Sequence, residues 1–235
     1  MLVASDTVEF QKVFVPLLRG GMEIIMTEHN KKRIAVFVSG GGTNLQALMD
    51  AQDAGILHSG EIVLVIASNP TAYALERASG KGIATAVAWK KELGSQEAFE
   101  ATIEKELADH KIDLIVLAGF MNILSADFTS KWPERIINVH PALIPSFCGK
   151  GFYGLRVHEA ALNYGVKVTG ATVHYVNEIP DGGEILLQKA VKIRPGDTPE
   201  ILQKRVMEQA EWNILPRATE LVAKKLKKER QGERK

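Results

Sequence analysis

The chain has 235 residues and only one cysteine, Cys148. That excludes an internal disulfide and a cysteine-built zinc cage, and it fits a reducing, cytoplasmic compartment. Long hydrophobic runs are missing too. The longest, Ile62–Ala67 and Leu114–Ala118, fall far short of the ~18 residues of a membrane span. Val13–Leu18 is apolar but short and carries Pro16, so it makes no secretory core, which wants a basic start and ~7–15 apolar residues. Neither sign of charge dominates: 29 basic and 28 acidic side chains give a net charge of +1. At 46% hydrophobic and 24% charged residues, the composition excludes disordered, collagen-like and low-complexity chains. No internal repeat or linker is visible. The length suits one large domain or two small ones, with a core burying roughly 70% of the unfolded surface.

The balanced charge hides one asymmetry. The last twelve residues, Lys224 to Lys235, hold seven basic and two acidic side chains, so the body is mildly acidic. Such a tail can bind nucleic acid, or it can be a solvated helix end whose cations suit the dipole. The body carries no basic patch, so the second reading is preferred and no nucleic-acid partner is expected.

Residues 1–32 carry little pattern and read as an extension, a short appendage or helical arm, with Met22 and Met26 as alternative starts. From Arg33 the punctuation becomes regular. Ile34–Val38, Ile62–Ala67, Ile83–Val87, Asp113–Ala118 and Ile136–Val139 read as strands. Helical patterns separate them: one after Asn44 with Leu45, Leu48, Met49 and Gln52 on one face and Gly55 as its stop, one over Ala72–Ser79, one capped by Ser95, and one over Ser125–Trp132. Strands alternating with helices predict a doubly wound, mostly parallel α/β sheet of the Rossmann-like kind. Ligands then bind beyond the carboxyl ends of its strands. The second half differs. A long loop spans His140 to Gly154, a helix follows over Leu155–Tyr164, and Val168–Val176 with Ile185–Ile193 forms a β excursion. Thr198-Pro199 opens a long final helix that Pro216 kinks or divides. The organisation expected is an extension at 1–32, a single domain at 33–229 and a basic tail at 230–235.

Three motifs carry chemistry. Ser39-Gly40-Gly41-Gly42-Thr43-Asn44 joins a strand to a helix. It is either a seat for a phosphate monoester, built from free amides at a helix N-terminus, or a tight turn with Asn44 as helix cap. Asn138 and His140 lie two apart at a strand end, on one face; the imidazole is either satisfied by backbone or, as preferred here with the amide donor beside it, set for a reaction that develops an oxyanion and moves a proton. Asp181, in Ile179-Pro180-Asp181-Gly182-Gly183, is either a turn residue bonding its own backbone or a carboxylate that raises the pKa of a nearby histidine. His29, His58, His110, His158 and His174 show no metal-ligand spacing, so no metal is expected, and His158 and His174 read as structural. Cys148 has no visible base and is not read as a nucleophile.

Four blocks together resemble the phosphoribosylglycinamide formyltransferase family: Ser39–Leu48, Leu117–Ser125, Ile137–Pro145 and Asp181–Gly183, in the family's order and spacing. The resemblance runs from about Arg33 to the final helix. It implies formyl transfer from 10-formyltetrahydrofolate to glycinamide ribonucleotide in purine synthesis, by a monomer or homodimer, with no membrane partner. It implies Asn138, His140 and Asp181 as catalytic residues. Gly42, Thr43, Asn44 and Glu211 would hold the ribonucleotide. Met121, Asn122, Ile123 and Leu124, together with Asn138 and the segment Asn177, Glu178, Ile179, Pro180 and Asp181, would hold the folate. The chain departs from the family at Gly41, at Asn122, where an arginine is common, and near Gln96, where some members place another. On this reading Asp181 keeps His140 protonated at neutral pH, so that the imidazolium and Asn138 stabilise an oxyanion. The competing readings are formyltetrahydrofolate deformylase, whose family carries a regulatory module before the core, methionyl-tRNA formyltransferase, which carries a further RNA-binding domain, and a non-catalytic nucleotide-binding module.

Overall fold

The computed structural model describes residues 12–16, 22–26 and 31–232, with side chains over 31–229. Near the start, β1 (Lys12–Pro16) pairs antiparallel with β2 (Met22–Met26) as a separate two-stranded sheet, so of the two readings, short appendage or helical arm, the helical one does not hold over these residues. The main body alternates as read: β3 (Lys32–Val38), α1 (Thr43–Asp53), β4 (Gly60–Ala67), α2 (Ala74–Ser79), β5 (Ala84–Val87), α3 (Lys90–Leu93), α4 (Gln96–Asp109), β6 (Leu114–Leu117), α5 (Ala126–Ser130) and β7 (Ile136–His140). Then come α6 (Leu155–Tyr164), β8 (Val168–Tyr175), β9 (Ile185–Lys192), α7 (Pro199–Val206), a π-helical stretch over Met207–Glu211, and α8 (Trp212–Gly232).

Seven strands form one sheet in the order β5-β4-β3-β6-β7-β8-β9. The first five in that order run parallel; β8 and β9 join antiparallel. The chain winds outward from β3 through β4 to β5, then returns to the other side of β3 with β6. That reversal opens a crevice between the carboxyl ends of β3 and β6, the place where doubly wound sheets bind ligands. Both faces of β3 are buried because successive side chains alternate. Ile34, Val36 and Val38 pack with α1, α7 and α8; Ala35 and Phe37 pack with Phe99, Ile103 and Leu107 of α4 and Phe128 of α5.

The local signals act as their chemistry requires. Ser95, Ser125 and Thr198 each accept a backbone N–H at a helix start, from Ala98, Phe128 and Ile201. Three details differ from the sequence reading. Asn44 is not the cap of α1; that position belongs to Gly42, at φ 72°, and Asn44 is the second residue of the helix, with its side chain committed to Glu211. Pro216 does not divide the last helix. The irregularity comes earlier, in the wide π turn ending at Glu211, just before Trp212, whose carbonyl a proline four residues on cannot engage. The helix continues to Gly232, into the stretch read as a basic tail, and residues 233–235 lie outside the described residues. No helix among the described residues is long and apolar enough to cross a membrane.

Candidate active site

A cavity of about 740 Å³ opens at the carboxyl edge of β3, β6 and β7. Its walls include Gly42–Asn44, Met121–Leu124, Asn138, His140, Asn177–Asp181 and Glu211. Every residue named as a candidate from sequence therefore reaches one cavity.

The cluster of Asn138, His140, His174 and Asp181 is built by β7, β8 and the loop after β8. Asn138 lies opposite His174 in the antiparallel ladder, and its Nδ2 stands 3.3 Å from His174 Nε2. His174 Nδ1 donates to the Tyr175 carbonyl at 2.7 Å. A carbonyl only accepts, so a ring carrying one proton holds it on Nδ1, and its Nε2 can then accept from the Asn138 amide. The loop reaches this cluster because Gly183 lies against β8: a Cβ there would sit 1.8 Å from the Tyr175 carbonyl oxygen. Asp181 does not bond its own turn; Asn177 does, accepting from the Ile179 N–H at 3.0 Å. Instead Asp181 Oδ2 accepts from the Gly149 N–H at 2.8 Å and stands 3.5 Å from His140 Nδ1, while Oδ1 stands 3.5 Å from His174 Nε2.

The electrostatics correct one expectation. Burial pushes His140 below the ordinary histidine range and outweighs both the Asp181 charge and the Phe147 carbonyl, which raise it. The imidazole is thus neutral at pH 7, not a standing cation. Its Nε2 donates to the Phe147 carbonyl at 2.8 Å, so Nδ1 is the nitrogen free to take a proton, facing Asp181. Burial also pushes the Asp181 carboxyl up, but the two imidazoles and the Gly149 N–H prevail and hold it below the usual carboxylate range. The cluster is therefore an ionised carboxylate beside a neutral base, and it holds the imidazolium once a proton arrives.

The second half of the cavity is made of backbone. Thr43 and Asn44 open α1 with free amides behind the left-handed Gly42. Across from them, the π turn carries Met207 to Thr43, with Sδ 3.8 Å from Oγ1, and Glu211 to Asn44, whose Nδ2 donates to Oε2 at 2.7 Å. Glu211 is buried, and burial pushes its carboxyl up to about 7, with Asn44 pulling the other way. The Met121–Leu124 segment is held from behind. The Met121 N–H donates to Ser39 Oγ at 2.8 Å, and Gln96 Nε2 to the Ile123 carbonyl at 3.1 Å. Glu100 takes the Ser125 N–H and hydroxyl, each at 2.6 Å.

Sequence reading missed two residues here. His174 and His158, taken as structural, both line the cavity. The pairing of β8 with β7 carries His174 there, and no local pattern announces which strands pair. His158 projects from α6, wholly buried, with neither ring nitrogen hydrogen-bonded. Burial, then the neighbouring His140, pushes it down to about 4. Cys148 is a poor nucleophile, since burial and then Asp181 push its thiol up. Among the described residues no group of three or more His, Cys, Asp or Glu gathers as metal ligands.

A doubly wound sheet with an amide donor, a neutral base and a carboxylate at the switch crevice defines an α/β protein equipped for acyl transfer. The formyl transferase family model matches residues 32–219, and the chain belongs to that family. It is 43% identical to the trifunctional purine biosynthetic protein adenosine-3 of Gallus gallus over 194 residues, 83% of this chain but 19% of that protein. It is 40% identical to the phosphoribosylglycinamide formyltransferase of Haemophilus influenzae, over 79% of this chain and 84% of that one. Among solved structures, glycinamide ribonucleotide transformylase 1 from Symbiobacterium toebii superimposes with a TM-score of 0.78 at 38% identity, covering 84% of this chain and 90% of the other. The chain thus spans about a fifth of the length of the trifunctional relatives and most of the length of the single-function ones.

Proposed function

We propose that the protein transfers the formyl group of 10-formyltetrahydrofolate to the amine of glycinamide ribonucleotide, giving formylglycinamide ribonucleotide and tetrahydrofolate in de novo purine synthesis. One observation carries this: Asn138, His140 and Asp181 meet in the same cavity as the Gly42–Asn44 amides and the Met121–Leu124 and Asn177–Asp181 segments. Residues 33–229 are the unit that does this chemistry.

The Gly42–Asn44 amides take the substrate phosphate, and Glu211 the ribose. The Met121–Leu124 and Asn177–Asp181 backbones take the pterin. The substrate amine attacks the formyl carbon, and negative charge grows on the formyl oxygen. Asn138 has two N–H groups; one is given to His174, and the other is free for that oxygen. His140 Nδ1 accepts the proton leaving the nitrogen, and Asp181 stabilises the resulting cation. Return of the proton to the departing folate nitrogen completes the transfer. The reading needs neither a metal nor a nucleic-acid partner.

Turnover of 10-formyltetrahydrofolate with and without glycinamide ribonucleotide tests it. Release of tetrahydrofolate should require the ribonucleotide and match formylated product one to one. Hydrolysis without acceptor would mean a deformylase, and no turnover a binding module.

A further inference from the structure

The geometry points to Arg77 as a positioning residue that aims the phosphate-holding amides from behind, without touching the ligand. The inference rests on the reading of Gly42–Asn44 as a phosphate seat. The loop from Gly40 to Gly42 has no side chains, and a glycine run has the most backbone freedom to lose. Its orientation depends on what its carbonyls bond. The Gly40 carbonyl accepts from the Ala74 N–H at 3.1 Å. The Gly41 carbonyl accepts from Arg77 Nε at 2.8 Å. Both donors belong to α2.

In a planar trans peptide the C=O and the following N–H point in opposite directions. With the Gly40 and Gly41 carbonyls turned to α2, the Gly41 and Gly42 N–H groups turn away from it, toward the cavity that Gly40–Asn44 line. Arg77 lies outside that cavity. The guanidinium also polarises the peptide it bonds, which makes the Gly42 N–H a stronger donor.

Arg77 is itself fixed. Its Nη1 donates to Gln46 Oε1 at 3.0 Å, and the guanidinium lies 5.0 Å over the Tyr73 ring. Contact is close: a Cβ on Gly42 would stand 2.6 Å from Ala74 Cβ. The loop thus rests on α2 and leaves only its amide side open.

The test compares affinity for glycinamide ribonucleotide with that for its dephosphorylated nucleoside, in the full chain and in Arg77→Met, Arg77→Lys and Gln46→Met. The parent should prefer the phosphorylated ligand. Arg77→Met should shrink that preference about tenfold, the scale of one charged hydrogen bond. Nucleoside affinity, folate KM and kcat should stay within about threefold. Arg77→Lys, which keeps the charge without the planar fork, should fall between. Gln46→Met should keep most of the preference. If Arg77→Met does not fold, Arg77→Lys alone decides, by showing a reduced preference or not. A preference kept in the folded Arg77 variants overturns the assignment of Arg77 and leaves the phosphate seat standing. An equal loss for both ligands also overturns it, as general damage. No preference in the parent overturns the phosphate seat itself.

Discussion

The two halves of the cavity are built in opposite ways. The donors of the proposed seat at Gly42–Asn44 are local: one strand, one glycine turn and the first turn of one helix supply them, all from backbone. The proposed catalytic cluster is distributed. Asn138 and His140 come from β7, His174 from β8, Asp181 from the loop after β8, and the Gly149 N–H from the long loop between. A backbone seat tolerates varied side chains but depends on conformation. A side-chain cluster depends on each member and on the burial around it.

The two should therefore break differently, the cluster through turnover and the seat through binding and stability. The largest effect is expected at Asn138. Asn138→Ala removes the amide proposed to meet the developing oxyanion and should lower kcat by about 10²–10³, the usual cost of one such donor, with the ribonucleotide KM little changed. A comparable rise in KM would erase the distinction between the halves.

Asp181→Asn comes next, at about 10² in kcat. It also carries a pH signature. Asp181 raises the His140 pKa against burial, so removing its charge lowers that pKa further. In the proposed mechanism neutral His140 is the active form, so kcat should fall on the acid side as the ring protonates. The acid limb of the variant should move to lower pH. NMR titration of the His140 ring checks the cause directly, and an unmoved ring pKa would rule out the pairing.

The smallest effect is expected at Glu211, across from the seat, and in stability. Burial pushes its folded-state pKa up to about 7, well above the ~4.3 of a free glutamate in the unfolded chain. Between those values the folded state holds a proton that the unfolded chain has lost, so stability falls as pH rises through this window. The Gln variant keeps the shape and has no such proton. Urea unfolding at pH 5 and pH 8 should show the parent losing about 2 kcal/mol more than Glu211→Gln. Equal losses would mean that the carboxyl is not strained by its burial.

The same contrast governs what could be read without a structure. β3, the glycine turn and α1 follow from strand period, turn chemistry and helix periodicity, and each lies close to its expected bounds. The pairing of Asn138 with His140 was visible because both sit on one strand. Asp181 is ambiguous in the sequence, because nothing in the spacing tells how a hairpin loop folds back. His174 was dismissed for the same reason: its role depends on β8 lying antiparallel beside β7 in register with Asn138. Pro216 drew attention to the last helix, yet the functional irregularity is the π turn before it, which turns Glu211 toward Asn44.

By itself, the sequence determined the order of elements, and through that order the doubly wound class, together with the glycine-rich turn after β3, because strand period, helix period and turn chemistry act over a few positions. Tertiary structure decided the rest. Strand order brought His174 to Asn138, and the close approach of Gly183 to β8 brought Asp181 to His140. Burial then set the protonation of the cluster, leaving His140 neutral beside an ionised Asp181. The cost of taking a charge out of water depends on everything packed around it, and no stretch of chain carries that information alone.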